Sequence, residues 1–165
     1  MLFQRDIRVF QKFRGKEFGW SWLEEQQVNA FQVDRLFDYD NTKSAEVSEV
    51  NLIISVSAEI AIARINAVKS ANIPTYVLRS AYQGLDAIRS EQDTNDFIST
   101  FRREAIEQIR QDFPQASIIN LFPAMPASLP VRIGMNYLKN VDVEWRMYNH
   151  RGERSEEHTS ELQSP

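Results

Sequence analysis

The stretch VNLIISV, residues 50–56, is short, rich in β-branched side chains and almost wholly apolar. A run of this kind is typical of a parallel strand that is buried on both faces of a sheet. Residues 58–71 then place apolar side chains at helical spacing, and Asn72 and Pro74 end that pattern. The sequence from Val50 onward therefore predicts a buried strand followed directly by a helix.

The alternation of strand and helix continues along the chain. Further strands are predicted at residues 74–78, 117–122 and 141–148, and further helices at 93–112, capped by Asp93 or Thr94, and at 128–140. The last strand alternates apolar and polar side chains, which is typical of a half-exposed edge strand. Close packing against the sheet is the predicted reason for Gly134 inside the last helix. These repeats predict an α/β fold, a Rossmann-like, mostly parallel sheet with helices on both faces.

The two ends of the chain differ from this central part. Residues 1–43 are rich in glutamine and aromatic side chains and show no clear period, so we interpret them as the end of a preceding half-domain or a linker. Residues 44–153 form the predicted α/β unit. Residues 154–164 read RSEEHTSELQS, which a short-read sequencing adapter encodes codon for codon. We therefore interpret residues 154–165 as a translated adapter rather than native protein.

Composition limits the classes of function. The formal net charge is −4, and it becomes −2 when the one arginine and three glutamates of residues 154–165 are left out, so there is no electrostatic basis for binding long nucleic acid. The chain has no cysteine, which excludes disulfides and thiolate metal sites and fits a reducing cytoplasm. No apolar run approaches the roughly 18 residues of a membrane span. These features predict a cytoplasmic protein with no membrane partner.

The usual residues of catalysis are scarce. His150 is the only histidine outside residues 154–165, so neither a Cys–His pair nor a His-rich zinc site can form within this chain. The glycine-rich phosphate-binding loops GxGxxG and GxxxxGK[ST] are also missing. Acidic neighbours such as Glu104 and Glu107 are interpreted as a solvated helix face. We predict no catalytic residue, no metal and no cofactor.

Ligand-binding residues are expected at the carboxyl ends of the strands, where open parallel sheets bind their ligands. Ser55 and Ser57 place two hydroxyls there, ahead of a helix whose first N–H groups, from Ala58 onward, suit a phosphate or a sugar hydroxyl. Ordinary helix capping by serine explains the two residues equally well. Arg79 follows the second strand and either neutralises a phosphate or is simply solvated.

A second candidate segment, FPAMP at residues 122–126, follows the third strand. It is predicted to be a stiff apolar loop because of its two prolines, and it consists of Phe122, Pro123, Ala124, Met125 and Pro126. The loop leads to Ser128 and a helix N-terminus, and such a shelf beside a helix dipole suits a nucleobase next to a phosphate. A crossover loop that packs on the core is the alternative.

Four segments, taken in order, carry a family resemblance: NLIISVSAEI at 51–60, IPTYVLRSA at 73–81, INLFPAMPASLPVRIGMNYL at 119–138 and WRMYNHR at 145–151. They resemble the SAVED domain, a family that senses cyclic oligonucleotides in bacterial anti-phage (CBASS) signalling. The most specific segment is LFPAMPAS at 121–128, followed by Gly134 and by a strand that ends in Tyr148. The matched residues are interpreted as the second half of such a domain.

The resemblance implies two fused Rossmann-like halves, related to CARF sensors, that bind a cyclic di- or trinucleotide between them. It also implies that binding drives homo-oligomerisation and activates a fused effector, which is missing from this chain. In this sequence Ser55, Ser57 and the backbone of Ala58 would hold phosphate or ribose. Residues 122–126 would shape the base pocket, and Ser128 would cap the helix that points at it.

Two other functions are compatible with the sequence. A nucleotide-processing Rossmann-like enzyme, such as a ring nuclease, would convert the cyclic ligand to a product. A structural half-domain that serves only as a dimer surface would keep the same mass in light scattering whether or not ligand is added. We favour the sensor, which binds a cyclic oligonucleotide and changes its state of assembly.

Overall fold

The structure is a computed structural model, and it describes residues 29–149. Predictions that concern His150, the adapter interpretation and most of the N-terminal aromatic segment lie outside the described residues. Within them, five strands form one sheet: β1 (Phe31–Arg35), β2 (Glu49–Ser55), β3 (Thr75–Ser80), β4 (Ile118–Ala124) and β5 (Glu144–Met147). Their order across the sheet is β1-β3-β2-β4-β5.

β2 lies at the centre of the sheet because its side chains tolerate burial on both faces. Residues 50–55 are all buried, and the strand pairs parallel with β3 on one side and with β4 on the other. β5 adds a further parallel strand along β4 and lies at the edge. The predicted strands, and the prediction of a mostly parallel sheet with a final edge strand, are confirmed.

β1 is the strand that the sequence did not predict. It pairs antiparallel with β3, and Phe31 lies opposite Ser80 while Arg35 lies opposite Tyr76. The strand therefore belongs to the same sheet as β2 to β5, although it lies within residues 1–43, which the sequence predicts to be the end of a preceding half-domain or a linker. The division of the chain at residue 43 stays a prediction.

The helices lie between the strands in the predicted places. They are a 3-10 helix (Asn41–Glu46), α1 (Ile62–Val68), α2 (Glu91–Thr100), a π-helical segment (Phe101–Ile106), α3 (Glu107–Asp112) and α4 (Ser128–Met135). The long helix predicted to end at Asp112 is the run formed by α2, the π segment and α3. Its N-cap is Ser90, whose hydroxyl accepts from the backbone N–H of Asp93 at 3.1 Å. The Asp93 carboxylate accepts in return from the backbone N–H of Ser90 at 3.2 Å, so Asp93 completes a capping box and is not itself the cap.

Helices cover both faces of the sheet, as predicted. On one face a large apolar core joins Leu52 and Ile54 to side chains of the long helical run and of α4, among them Phe97, Phe101, Ile109, Leu129 and Ile133. On the other face a smaller core joins β-strand side chains to α1 and consists of Ile53, Ile60, Ile65, Val77, Phe122 and Tyr148. α1 is the one α-helix of the described residues on this second face, and it has seven residues.

A buried ion pair ties two strands to the end of α3. The carboxylate of Asp112, which is 5% exposed, accepts from Arg35 at 2.7 and 2.8 Å, from Gln108 at 3.0 Å and from the hydroxyl of Tyr76. Burial alone would raise the pKa of Asp112, but the hydrogen bonds from Arg35, Tyr76 and Gln108 outweigh it and lower that pKa. Burial raises the pKa of Tyr76, and its hydrogen bond to Asp112 raises it further.

α4 ends at Met135, five residues earlier than predicted. Gly134 is exposed, and a Cβ added to it meets nothing within 4 Å. The prediction that this glycine packs closely against the sheet is therefore wrong. The reason is that α4 turns its buried side, with Leu129 and Ile133, toward the sheet and its Gly134 side toward solvent.

Two glycine substitutions are expected to have opposite effects on the free energy of unfolding. Gly134→Ala should raise it by about 0.5–1 kcal/mol because alanine favours the helix and fits the open space. Gly84→Ala should lower it by more than about 1 kcal/mol because Gly84 has φ +153° and Asp86 Oδ1 lies 3.2 Å from the added Cβ. Urea titration measures both values. A loss of stability in Gly134→Ala would contradict the exposed position of this glycine.

Candidate functional site

Three of the predicted ligand-binding residues lie side by side at the carboxyl edge of the sheet. Ser55 of β2 lies opposite Arg79 of β3 on one side and opposite Ala124 of β4 on the other. Directly opposite residues place their side chains on the same face of a sheet. The three side chains therefore share the face that carries α1, where Ala124 packs against the smaller core.

The chain beyond β2 stays beside the end of β4. The backbone N–H groups of Val56 and Ser57 both donate to the carbonyl oxygen of Ala124, at 2.9 and 2.7 Å. The structure thus brings the serine turn and the proline-containing end of β4 to the same edge of the sheet. Ala58 follows as an exposed residue.

The prediction that a helix begins directly after Ser57 is wrong. α1 begins at Ile62, with Ala61 as its N-cap, and residues 56–61 form a connecting loop. Ile60 is buried in the smaller core together with Ile65 of α1, so this loop folds inward before the helix starts. Ser57 and Ala58 consequently offer loop groups to a ligand and not the N-terminus of a helix.

Ser55 has an unusual environment for a serine. Its side chain is 0% exposed, and among the described residues its Oγ atom has no hydrogen-bond partner. A buried hydroxyl without a partner costs free energy, so such groups are uncommon in folded proteins. The ordinary alternative for this residue, capping of α1, is excluded by the start of that helix at Ile62.

Arg79 is held by two carboxylates. Its Nη1 atom lies 3.3 Å from Asp34 Oδ2 on β1, and its Nε atom lies 3.4 Å from Glu59 Oε1 in the loop after β2. The guanidinium is 37% exposed, so solvent still reaches it. The surroundings of Arg79 therefore carry a net negative charge within the described residues.

The sequence predicts a loop at residues 79–92 that carries Gly84, but it does not predict what this loop contacts. Gln83 Nε2 donates to the carbonyl oxygen of Ser55 at 3.3 Å and to Glu59 Oε1 at 3.1 Å. The backbone N–H of Gly84 donates to the carbonyl oxygen of Val56 at 3.4 Å. This loop thus lies against the carboxyl end of β2. Gly84 was the only signal for it in the sequence, because a glycine between two predicted elements marks a turn but does not say what the turn contacts.

The residues 122–126 divide between strand and loop. Phe122, Pro123 and Ala124 are part of β4, and Phe122 is only 6% exposed because its ring stacks on Tyr148 at 4.9 Å. Pro123 is tolerated in the strand because β5 pairs with β4 only as far as Leu121, so its missing N–H breaks no pair with β5.

The remaining two residues, Met125 and Pro126, pack inward. Met125 lies against the large core and Pro126 is buried. The prediction that all of residues 122–126 form a loop is wrong. The packed alternative describes Phe122, Met125 and Pro126 better than an open apolar shelf does.

Ser128 does not cap α4, which corrects the prediction. Ala127 is the N-cap, and no side chain caps the helix. Ser128 is the first helical residue and is 4% exposed. The N–H of Leu129 already donates to the carbonyl oxygen of Pro126 at 3.0 Å, and Pro130 has no N–H. The start of α4 therefore has few N–H groups left for a ligand.

A cavity of about 270 Å³ lies at the opposite end of the sheet from these residues. Its walls come from the ends of β1 and β3, from α1 and from the segment before β2, and they include Leu36, Phe37, Val47, Ile62, Ile73, Pro74 and Phe113. The volume is below the range of about 300–1,000 Å³ that is usual for drug-sized ligands. None of the predicted ligand-binding residues lines this cavity.

Two features are absent from residues 29–149. In this part of the chain, no group of three or more His, Cys, Asp and Glu side chains is placed to hold a metal ion. None of the helices described there is long and apolar enough to cross a membrane.

The strand order and the parallel pairing of β2 with β3 and β4 define a Rossmann-like α/β domain. The chain belongs to the SAVED family: the sequence model of the "SMODS-associated and fused to various effectors sensor domain" matches residues 4–161. Family membership makes this chain a sensor domain, and it confirms the resemblance found in the sequence. The match also includes most of residues 1–43, which the sequence alone did not place.

A solved structure supports the fold. The chain is similar to the Acinetobacter baumannii Cap4 SAVED/CARF-domain containing receptor, a structure with the cyclic trinucleotide 2'3'3'-cAAA, with a TM-score of 0.51 and 13% sequence identity. The similarity covers 82% of this chain and 28% of the Cap4 chain, so the chain spans little more than a quarter of that receptor. A search of curated proteins found no match.

Proposed function

We propose that this domain senses a cyclic oligonucleotide at the carboxyl edge of its sheet and contributes no catalytic residue of its own. The observation that supports this most directly is the row Arg79–Ser55–Ala124 across three neighbouring parallel strands. It lies where open α/β sheets bind ligands, and one of its members is a fully buried hydroxyl without a partner among the described residues.

The chemistry of this edge suits a compact phosphorylated ligand. Ser57, whose backbone N–H donates to the Ala124 carbonyl oxygen, supplies the hydroxyl of a half-buried residue, and Arg79 supplies a cation that solvent reaches. Guanidinium and hydroxyl groups are common partners of phosphate and ribose oxygens. The Cap4 receptor, which shares the fold, was solved with a cyclic trinucleotide, and this supports a cyclic di- or trinucleotide as the ligand class.

Ligand binding is further proposed to promote homo-oligomerisation and to activate a fused effector in the full-length protein. The family description supports the fusion, since it names a sensor domain fused to various effectors. A sensor of this kind acts in the cytoplasm, where it meets its nucleotide signal. Its role is to convert ligand binding at the carboxyl edge of the sheet into a change of oligomeric state.

We expect the full-length protein that carries this domain to bind at least one member of a panel of cyclic di- and trinucleotides, including 2'3'3'-cAAA, in calorimetry. Ser57→Ala should weaken that binding about tenfold, since a hydrogen bond to a charged group contributes about 1.5–3 kcal/mol. Ser99→Ala is the matched control, because Ser99 is an exposed serine on α2, away from the edge.

Three results would contradict the proposal. The first is a failure of every cyclic nucleotide to bind. The second is an equal effect of the two serine substitutions. The third is a processed product in chromatography, which would favour a ring nuclease. Light scattering of the same samples tests assembly, because a ligand-responsive sensor changes mass and a structural half-domain does not.

A further inference from the structure

Glu59 occupies a particular position at the candidate site. Its Oε1 atom accepts a hydrogen bond from Gln83 Nε2 at 3.1 Å and lies 3.4 Å from Arg79 Nε. One carboxylate oxygen thus contacts both a carboxamide donor and a guanidinium donor. The side chain of Glu59 is 61% exposed, so it reaches this position from the solvent side of the loop.

Ser55, the last residue of β2, lies near the same two side chains that contact Glu59. Gln83 Nε2, which holds Glu59, also donates to the Ser55 carbonyl oxygen at 3.3 Å. Arg79, which faces Glu59, lies opposite Ser55 in the sheet. The fully buried Oγ of Ser55 has no partner among the described residues. The Glu59 carboxylate therefore lies close to the row of the sheet that contains this buried hydroxyl.

The donors around Glu59 are those that a phosphate oxygen uses. An anionic oxygen that accepts from a carboxamide N–H and lies beside a guanidinium group has the same requirements whether it belongs to a carboxylate or to a phosphate. A neutral ligand group in place of the Glu59 carboxylate would leave Arg79 without this ion pair, whereas an anionic group would keep it. The position is thus an anion subsite that is occupied by a side chain of the protein.

We propose that Glu59 is an internal anion at a phosphate subsite and that a phosphorylated ligand displaces it to reach Arg79 and Gln83. This inference rests on the proposed function and concerns the regulation of the same site. Contacts of an exposed carboxylate are weak and easily exchanged with solvent, which suits a reversible displacement. Asp34 Oδ2 contacts a different atom of Arg79, Nη1, at 3.3 Å, so it does not occupy the position that Glu59 holds beside Nε.

The test compares two isosteric substitutions that each remove one negative charge next to Arg79. Glu59→Gln removes the charge at the subsite and should raise the affinity for the best-binding cyclic nucleotide about three- to tenfold in calorimetry, because the ligand no longer competes with a carboxylate. Asp34→Asn removes a charge on the other side of the guanidinium and should change the affinity less than twofold. Both side chains are exposed by more than a third, so both variants should fold.

A second arm uses inorganic phosphate followed by NMR of the Arg79 Nε–H group in the same proteins. Phosphate should shift this signal at a lower concentration in Glu59→Gln than in wild type. Unchanged affinity in Glu59→Gln, or equal gains in both variants, would overturn the inference while the sensor function stands. Absence of binding by any cyclic nucleotide would instead overturn the proposed function, and the phosphate arm would then decide the inference by itself.

Discussion

Replacing Asp112 by alanine is expected to lower the free energy of unfolding by about 3 kcal/mol. The substitution leaves the hydroxyl of Tyr76, a residue that is 0% exposed, without its acceptor. It also removes the partner of Arg35, which connects edge strand β1 to the end of α3. The main cost comes from Tyr76, whose hydroxyl stays desolvated after it loses its acceptor, whereas 39% of the Arg35 side chain is exposed and solvent can hydrate it. Urea-induced unfolding followed by circular dichroism measures the change.

The control for this substitution is Glu104→Ala. Glu104 is exposed on the same helical run, so its replacement should change the free energy of unfolding by no more than about 0.5 kcal/mol. A loss in Asp112→Ala as small as that of the control would show that the Asp112 ion pair does not hold β1 and β3 to the helix.

The same ion pair predicts how stability depends on pH. The pKa of Asp112 is lowered in the folded protein by its hydrogen bonds to Arg35, Tyr76 and Gln108, although burial opposes them. A carboxyl whose folded pKa is below its unfolded pKa stabilises the protein fully above the unfolded value, about 4, and loses this contribution as the pH falls through the folded value. The stability difference between wild type and Asp112→Asn should therefore narrow below about pH 4.

Replacing Phe101 by alanine should cost about 3–5 kcal/mol of unfolding free energy, the range for a large aromatic side chain in a close-packed core. Phe101 is 0% exposed and lies at the start of the π segment. Its ring packs edge-on against Trp145 of β5 at 5.3 Å and is stacked with Phe97 of α2 at 6.2 Å. The cavity left by alanine would separate the long helical run from the edge strand.

A second ring on Trp145 provides the comparison. Tyr137 contacts Trp145 at 4.9 Å with a T-shaped geometry but is 37% exposed. Tyr137→Ala should cost clearly less than Phe101→Ala, because more than a third of Tyr137 is exposed and an aromatic pair adds only about 0.5–1.5 kcal/mol beyond its burial. Chemical denaturation of both variants separates the two contributions. Equal losses would mean that burial of Phe101 adds nothing to the ring contact, which would contradict the expected cavity.

The residues expected to matter most for stability and those of the candidate ligand site lie on different faces of the sheet. The large core, with Phe101 and the long helical run, covers one face. The candidate edge lies on the other face, which among the described residues carries only the seven-residue α-helix α1. A thin covering layer with loop contacts such as Gln83 to Glu59 can rearrange without opening the large core. The arrangement suits a sensor that must be stable and still respond to a ligand.

Local sequence patterns were enough to predict β2 to β5 and the approximate positions of the helices. β2 is a clear example, because a continuous β-branched apolar run has few other ways to be buried. β1 carries a weaker pattern. Phe31 and Val33 are only partly buried, and the other three residues of the strand are polar or charged. Its strand character depends on pairing with β3, a contact between distant parts of the chain.

The α/β class, the family resemblance and the proximity of Ser55, Arg79 and Ala124 at one edge of the sheet could all be predicted from the amino-acid sequence. These follow from local periodicity and from the rule that parallel strands end at the same edge. The partners of these residues depend on tertiary contacts. Arg79 meets Asp34, 45 residues earlier, because β1 happens to pair with β3, and Gln83 meets Glu59 because two loops fold onto the same strand end. Contacts of this kind depend on strand order and loop path, which no short stretch of sequence specifies.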